Sequence, residues 1–153
     1  EGQVTLGIVN VPMLDECFWA ARGQGAFCNN RSIAVSGADT LTEALVGTGF
    51  PYDVAERLPE VLERLAAVLP VSQGLRRIGA ASVDLAYLAC GRLDAFYEAG
   101  LKPWDLAAGW LLVEEAGGRV SNLRNESLHF GEALLASNGR LHKAMTALLA
   151  ETA

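Results

Sequence analysis

Lys102-Pro103-Trp104-Asp105-Leu106-Ala107-Ala108-Gly109-Trp110-Leu111, running on to Glu115-Ala116-Gly117-Gly118, is the stretch that decides how the chain is read. Apolar residues occupy nearly every face from Leu106 to Val113. The spacing therefore predicts a buried helix over 104–116, closed by the glycine pair. Ala107, Ala108 and Gly109 are small enough to let neighbouring elements come close. Asp105 falls at the start of this helix, where unpaired backbone N–H groups and the helix dipole favour a carboxylate. Taken alone it is a helix cap. On a buried apolar rod, with Glu98 and Lys102 in the same short connection, it is also a candidate ligand for a divalent cation.

Moving upstream, Leu93–Tyr97 reads as a strand and Ser82–Cys90 as a helix, with Gly79-Ala80-Ala81 as the turn that leads into it. Backbone N–H groups at such a helix start can bind a phosphate or a hydroxyl. Glu98 ends its strand, and ligands of α/β sheets collect outside those ends. Asp84 lies in an otherwise apolar helix, where a salt bridge to Arg76 or Arg77 is the expected explanation. Asp94, in Gly-Arg-Leu-Asp, reads as a turn residue before its strand. Leu75–Ile78 and Ala44–Phe50 are further strands. Arg57–Leu69 is a helix whose Leu58, Val61, Leu62, Leu65 and Leu69 share one face. Downstream, Arg119–Ser121 and Leu134–Ala136 are short strands, and Leu141, Ala144, Met145, Leu148 and Leu149 form the apolar face of a last helix. Strands and helices alternate from residue 44 onward, which is the pattern of a layered α/β fold.

The opening residues follow another pattern. Val4–Val11, Cys17–Ala21, Ala26–Cys28 and Ile33–Val35 read as an antiparallel meander, with Asn29-Asn30 supplying positive φ for a tight turn. Residues 36–43 join the two patterns. The chain thus divides into 1–40, the terminal strands of an incomplete antiparallel sheet, and 41–153, an α/β domain. So small a meander buries little surface alone and is expected to pack as part of something larger.

Composition narrows the function classes. The 153 residues are 51% apolar and 20% charged, which suits a globular domain with a core. A net charge of −6 argues against direct nucleic-acid binding. No apolar run approaches the ~20 residues of a membrane span, and Glu1-Gly2-Gln3 does not open a signal peptide. Cys17, Cys28 and Cys90 are odd in number and match no zinc spacing, so reduced thiols in a cytoplasmic protein are expected. His129 and His142 lack partners at metal-ligand spacing. Trp19, Trp104 and Trp110 are expected in the core.

Three stretches carry a family resemblance. Ile78-Gly79-Ala80-Ala81-Ser82-Val83-Asp84 through Gly91-Arg92-Leu93-Asp94-Ala95-Phe96-Tyr97-Glu98, followed by Lys102-Pro103-Trp104-Asp105, resembles the second half of bacterial inositol monophosphatases. Gly23-Gln24-Gly25-Ala26-Phe27 and the Asn29-Asn30 turn match the family's central stretch. The resemblance implies an α/β sandwich of the inositol monophosphatase and sugar phosphatase type. It also implies a magnesium-dependent, lithium-sensitive phosphomonoesterase that is cytoplasmic and homodimeric, acting on a small phosphorylated polyol or sugar. Asp105 takes the position of a metal ligand. Glu98 takes that of the residue accepting hydrogen bonds from substrate ring hydroxyls, and Gly79, Ala80 and Ala81 that of the loop beside the ring. Ala80 stands where the family usually carries Ser or Thr. The family's Asp-Pro-(Ile/Leu)-Asp-Gly-Thr motif and an upstream Glu belong before residue 1. No catalytic, water-activating residue is therefore expected in this chain, and alone it is expected to bind Mg²⁺ weakly and to hydrolyse little. Other branches stay open: fructose-1,6-bisphosphatase and the 3′-phosphoadenosine, histidinol and NADP phosphatases. Pro103-Trp104, with Glu98 seven residues before Asp105, fits the inositol branch. A non-catalytic module associated with transcription is the alternative of a different class.

Overall fold

The computed structural model describes residues 3–150. The first sheet is an antiparallel meander in the order β1-β2-β3-β4, made of β1 (Leu6–Val11), β2 (Glu16–Ala21), β3 (Ala26–Cys28) and β4 (Arg31–Ile33). Asn29 and Asn30 both take positive φ in the two-residue β3–β4 turn, as their side chains permit. That turn starts β4 at Arg31, two residues earlier than the expected Ile33.

The second sheet is mixed. It runs β6-β5-β7-β9-β8, from β5 (Leu45–Thr48), β6 (Gly74–Arg76), β7 (Ala95–Glu98), β8 (Arg119–Asn122) and β9 (Leu134–Ser137). β5 is parallel to β6 and β7, whereas β9 is antiparallel to β7 and β8. The helices are α1 (Leu58–Val68), α2 (Ala81–Ala89), α3 (Pro103–Glu115) and α4 (His142–Ala150).

Two cores give the layer order. One gathers Phe18 and Ala20 of the first sheet, Leu85 and Leu88 of α2, Leu111 and Leu112 of α3, and Phe96, Leu134 and Ala136 from one face of the second sheet. The other gathers Val46, Ala95, Tyr97 and Leu135 from the opposite face with Val68 of α1 and Met145 and Leu149 of α4. The layers therefore run first sheet, α2 and α3, second sheet, α1 and α4, an α/β sandwich with two sheets and four helices.

The small residues of α3 make this stacking possible. A Cβ on Gly109 would lie 2.5 Å from Leu85 Cβ, so α2 and α3 touch nearly backbone to backbone. A Cβ on Gly7 of β1 would lie 2.8 Å from the Ala108 carbonyl oxygen. At the far end of α3, the Glu115 carboxylate accepts the N–H groups of Gly23 (2.8 Å) and Gly25 (2.9 Å) and so holds the β2–β3 turn against the helix. Asp94 precedes β7 as a turn residue; its carboxylate accepts the Leu45 N–H at 2.7 Å and the Ser36 hydroxyl.

Three expectations need correction. The apolar stripe of α1 splits: Arg64 and Val68 are buried, while Leu58, Leu62 and Leu69 are exposed. Arg64 can lie inward because Glu60, one turn earlier, pairs with it at 2.6 Å. Trp104 is 78% exposed rather than in the core, because it sits in the first turn of α3, clear of the layers. Trp19 and Trp110 are half-buried, with Trp19 stacked on Phe27. Asp84 forms no ion pair with Arg76 or Arg77 among the described residues; its helix carries it into the layer between the sheets, where Arg77 acts on it through its charge alone. The three cysteines are unpaired, and among the described residues no helix is long and apolar enough to cross a membrane.

Candidate functional site

β5 and β7 lie side by side and parallel. The chain leaves β5 for α1 on one face of the sheet and leaves β7 for α3 on the other. Adjacent parallel strands whose connections depart to opposite faces open a crevice at their carboxyl ends, the usual ligand position in such sheets. Gly49 follows β5 at this crevice, and Glu98 ends β7 there.

Side-chain alternation sends Glu98 to the α2–α3 side, since its register partner Leu134 and its neighbour-but-one Phe96 both belong to that core. Room for the carboxylate comes from Gly49: a Cβ there would overlap it. Two positions back along β5, a Cβ on Gly47 would lie 3.1 Å from Asp84 Oδ1. Asp84 is 1% exposed, and this oxygen has no hydrogen-bond partner.

Asp105 comes to the same side from the first turn of α3. Its Oδ2 accepts the Lys102 N–H at 2.8 Å, so it does cap the helix, and the residue stays partly exposed. Gly79 and Ala80 lie exposed just before α2, with Gly79 at φ +92°, and Ala81 opens the helix. The Arg77 guanidinium reaches back toward Gly79 and sits 5.6 Å over the Phe50 ring, closing the rim between this turn and the end of β5.

The electrostatics follow from crowding negative charge out of water. Burial above all pushes the Glu98 carboxyl up to about 7, and the charges of Asp84 and Asp105 push the same way, against Arg77. Burial likewise pushes Asp84 up to about 7, with a backbone hydrogen bond from Ala80 and the charge of Arg77 opposing. A desolvated surplus of carboxylate, with one buried oxygen unpartnered, fits a cation in chemical kind. It does not complete a cage: among the described residues no three acidic, imidazole or thiol groups converge closely enough to hold a metal ion.

Of the five residues singled out from the sequence, Glu98 ends β7 at the crevice and Asp105 acts on it through its charge, while Gly79, Ala80 and Ala81 lie at the start of α2, beside Arg77 and, through the Ala80 backbone, Asp84. Three contributors were missed. Asp84 was assigned to a salt bridge, although an acid amid Val83, Leu85 and Ala86 was itself a signal. Gly47 and Gly49 were read only as part of a strand, yet two alternate glycines at a strand's carboxyl end mark a face that something else must fill. A separate cavity of about 540 Å³, bordered by Arg22, Trp110, Glu114 and Phe130, contains none of these acids.

The model of the inositol monophosphatase family matches residues 1–153. The Nus factor SuhB of Pseudomonas aeruginosa is 44% identical over 149 residues, covering 95% of this chain and 55% of that protein. An inositol-1-monophosphatase of Synechocystis is 41% identical over 149 residues, covering 97% of this chain and 52% of that one. Among solved structures, the inositol monophosphatase of Anabaena (Nostoc) superposes with a TM-score of 0.94 at 39% identity, over 98% of this chain and 60% of that one. The chain spans about half the length of the curated relatives it matches. It belongs to the inositol monophosphatase family.

Proposed function

We propose that this chain is the substrate-orienting and part of the cation-holding half of a magnesium-dependent phosphomonoesterase acting on myo-inositol monophosphate or a similar small phosphate ester. The observation that carries the reading is the half-buried Glu98 carboxylate at the carboxyl end of β7, in the space left by Gly49 and under the charges of Asp84 and Asp105. Mg²⁺, when bound, would neutralise phosphate charge and help generate the attacking nucleophile. Asp105 would hold the cation, its orientation set by the Lys102 N–H. Glu98 would accept a hydrogen bond from a ring hydroxyl, and the Gly79–Ala81 turn would lie along the ring. Because Ala80 has no hydroxyl, the turn would offer backbone groups alone. One such carboxylate holds magnesium weakly, since the ion gives up its waters reluctantly and asks for several anionic oxygens. In this reading the opening meander is the end of a larger antiparallel sheet, and the outward Leu6 and Ile8 of β1 are the surface it would cover. A homodimeric state and cytoplasmic placement belong to the same proposal, with sedimentation velocity the check on the first.

The test is phosphate release from myo-inositol monophosphate with Mg²⁺. It is measured on the chain alone and on a fusion in which the first half of the Pseudomonas relative precedes Glu1. The chain alone should stay near background. The fusion should turn over, and Asp105→Asn should abolish its activity. Full activity from the chain alone, or a fusion indifferent to Asp105→Asn, contradicts the proposal; preference for a nucleotide moves it to another branch.

A second reading rests on the name of the Pseudomonas relative, a Nus factor. A transcription-associated role for this chain would be favoured by co-purification with RNA polymerase factors that survives Asp105→Asn.

A further inference from the structure

A second polar arrangement lies on the opposite face of the second sheet, beneath α1, and the reading above makes no use of it. Arg64 is 7% exposed and Tyr97 4%, and both Arg64 Nε and the Tyr97 hydroxyl are buried without a hydrogen-bond partner. Buried polar groups in native folds are nearly always satisfied, by protein or by ordered water. The Glu60 carboxylate is occupied by other groups. Its Oε1 takes Arg64 Nη2 at 2.6 Å and Arg57 Nη2 at 2.8 Å, and its Oε2 takes Arg57 Nε at 3.1 Å. The two orphaned groups border one cavity of about 10 Å³ at the carboxyl ends of β5 and β7, which Thr48 and Val61 also line. Thr48 and Tyr97 are register partners, so their side chains leave the sheet on the same side. The Thr48 hydroxyl donates to the Tyr97 carbonyl at 3.0 Å, and its oxygen can still accept.

We propose that this cavity is the binding site of a single ordered water, which bridges Arg64 Nε and the Tyr97 hydroxyl and so ties α1 to the end of β7. Size selects the ligand. A volume of about 10 Å³ is close to the least that admits one water, and a chloride ion is larger. Charge selects the same way. Glu60 already neutralises Arg64, and the Glu98 carboxylate lies against Gly49, another residue of the lining, so a further anion would meet repulsion. The polar partners suffice, since a buried water typically makes about three hydrogen bonds. This one accepts the Arg64 Nε–H, exchanges a hydrogen bond with the Tyr97 hydroxyl and donates to the Thr48 oxygen. An apolar filling would leave both orphaned groups as they are. The bridge lets an arginine lie under its helix, and it fastens the strand end that presents Glu98. It stands independently of the phosphatase reading.

The experiment joins a high-resolution crystal structure of the 153-residue chain, with and without a bromide soak, to urea unfolding of the wild type, Tyr97→Phe, Arg64→Lys and the double variant. One density peak should lie within hydrogen-bonding distance of both Arg64 Nε and Tyr97 Oη, with no anomalous signal after the soak. Tyr97→Phe keeps the ring, and Arg64→Lys keeps a cation for Glu60 while removing the Nε–H. Tyr97→Phe should raise the unfolding equilibrium constant about fivefold in the wild-type background, the effect of one lost hydrogen bond. In the Arg64→Lys background it should do clearly less, because the two residues share one partner. An anomalous bromide peak makes the ligand a halide and overturns the proposal. So does a cavity with no density between the two groups, or losses that simply add. If Arg64→Lys does not fold, the density and the Tyr97→Phe loss decide. Phosphate release plays no part in these readouts, so either reading can fail without the other.

Discussion

His142 should make the chain sensitive to acid. It is 1% exposed at the start of α4, with Nε2 2.8 Å from the Ser121 hydroxyl and Nδ1 2.9 Å from the Ser137 hydroxyl. Burial first, then the charge of Arg119, lowers its pKa from the ordinary 6.5 to about 4. The first turn of a helix is also an unfavourable place for a cation. The sign follows from comparing the two states. Below 6.5 the unfolded chain takes up a proton that the folded chain refuses until about 4. Stability is therefore whole above 6.5, declines as the pH falls, and has lost its share by about 4. That interval corresponds to roughly 3 kcal/mol. Asp84 and Glu98 work in the opposite direction, since their raised values let the folded state gain protons first as the pH falls below 7. Taking the difference between wild type and His142→Gln cancels their contribution. Urea unfolding followed by tryptophan fluorescence should show the advantage of the wild type over His142→Gln shrinking by about 3 kcal/mol between pH 7.5 and pH 4. A difference that does not change with pH refutes the reasoning.

Other substitutions test the packing. An exposed helical Gly→Ala change usually stabilises, by about 1 kcal/mol. Gly109→Ala should instead destabilise by about 1–3 kcal/mol in urea unfolding, because the new Cβ meets Leu85 at 2.5 Å. Gly49→Ala should expel the Glu98 carboxylate toward solvent, and the Glu98 titration should drop toward the ordinary carboxylate range; an unmoved titration would show that the space was not limiting. Asp94→Ala removes the acceptor for the Leu45 N–H and the Ser36 hydroxyl, and should cost about 2–3 kcal/mol by the same unfolding assay.

Local chemistry marked out much of the fold before any coordinates. The unbroken apolar surface from Leu106 to Val113 required a buried helix, and Gly109 and Ala108 do meet Leu85 and Gly7 as their size suggested. The Asn29-Asn30 turn was visible because asparagine tolerates positive φ. What could not be read was how the layers face one another. The period of α1 located a helix, but the side that meets the sheet depends on the sheet, and Arg64 turned inward because Glu60 could pair with it. Trp104 looked like core by type and is exposed by position. In the site, Asp105 and Glu98 were legible as acids at a helix start and a strand end. Asp84 was not, because it packs against Gly47, on a strand more than thirty residues earlier, a proximity created only by folding.

The most direct measurement is paramagnetic broadening of the chain's amide signals by Mn²⁺ at millimolar concentration, which detects weak cation binding. Broadening should centre on Asp105, Glu98 and the Gly79–Ala81 turn, and Asp105→Asn, which keeps an acceptor for the Lys102 N–H, should remove most of it. Broadening centred elsewhere on the chain, and unchanged by Asp105→Asn, would contradict the assignment of this crevice as the cation site.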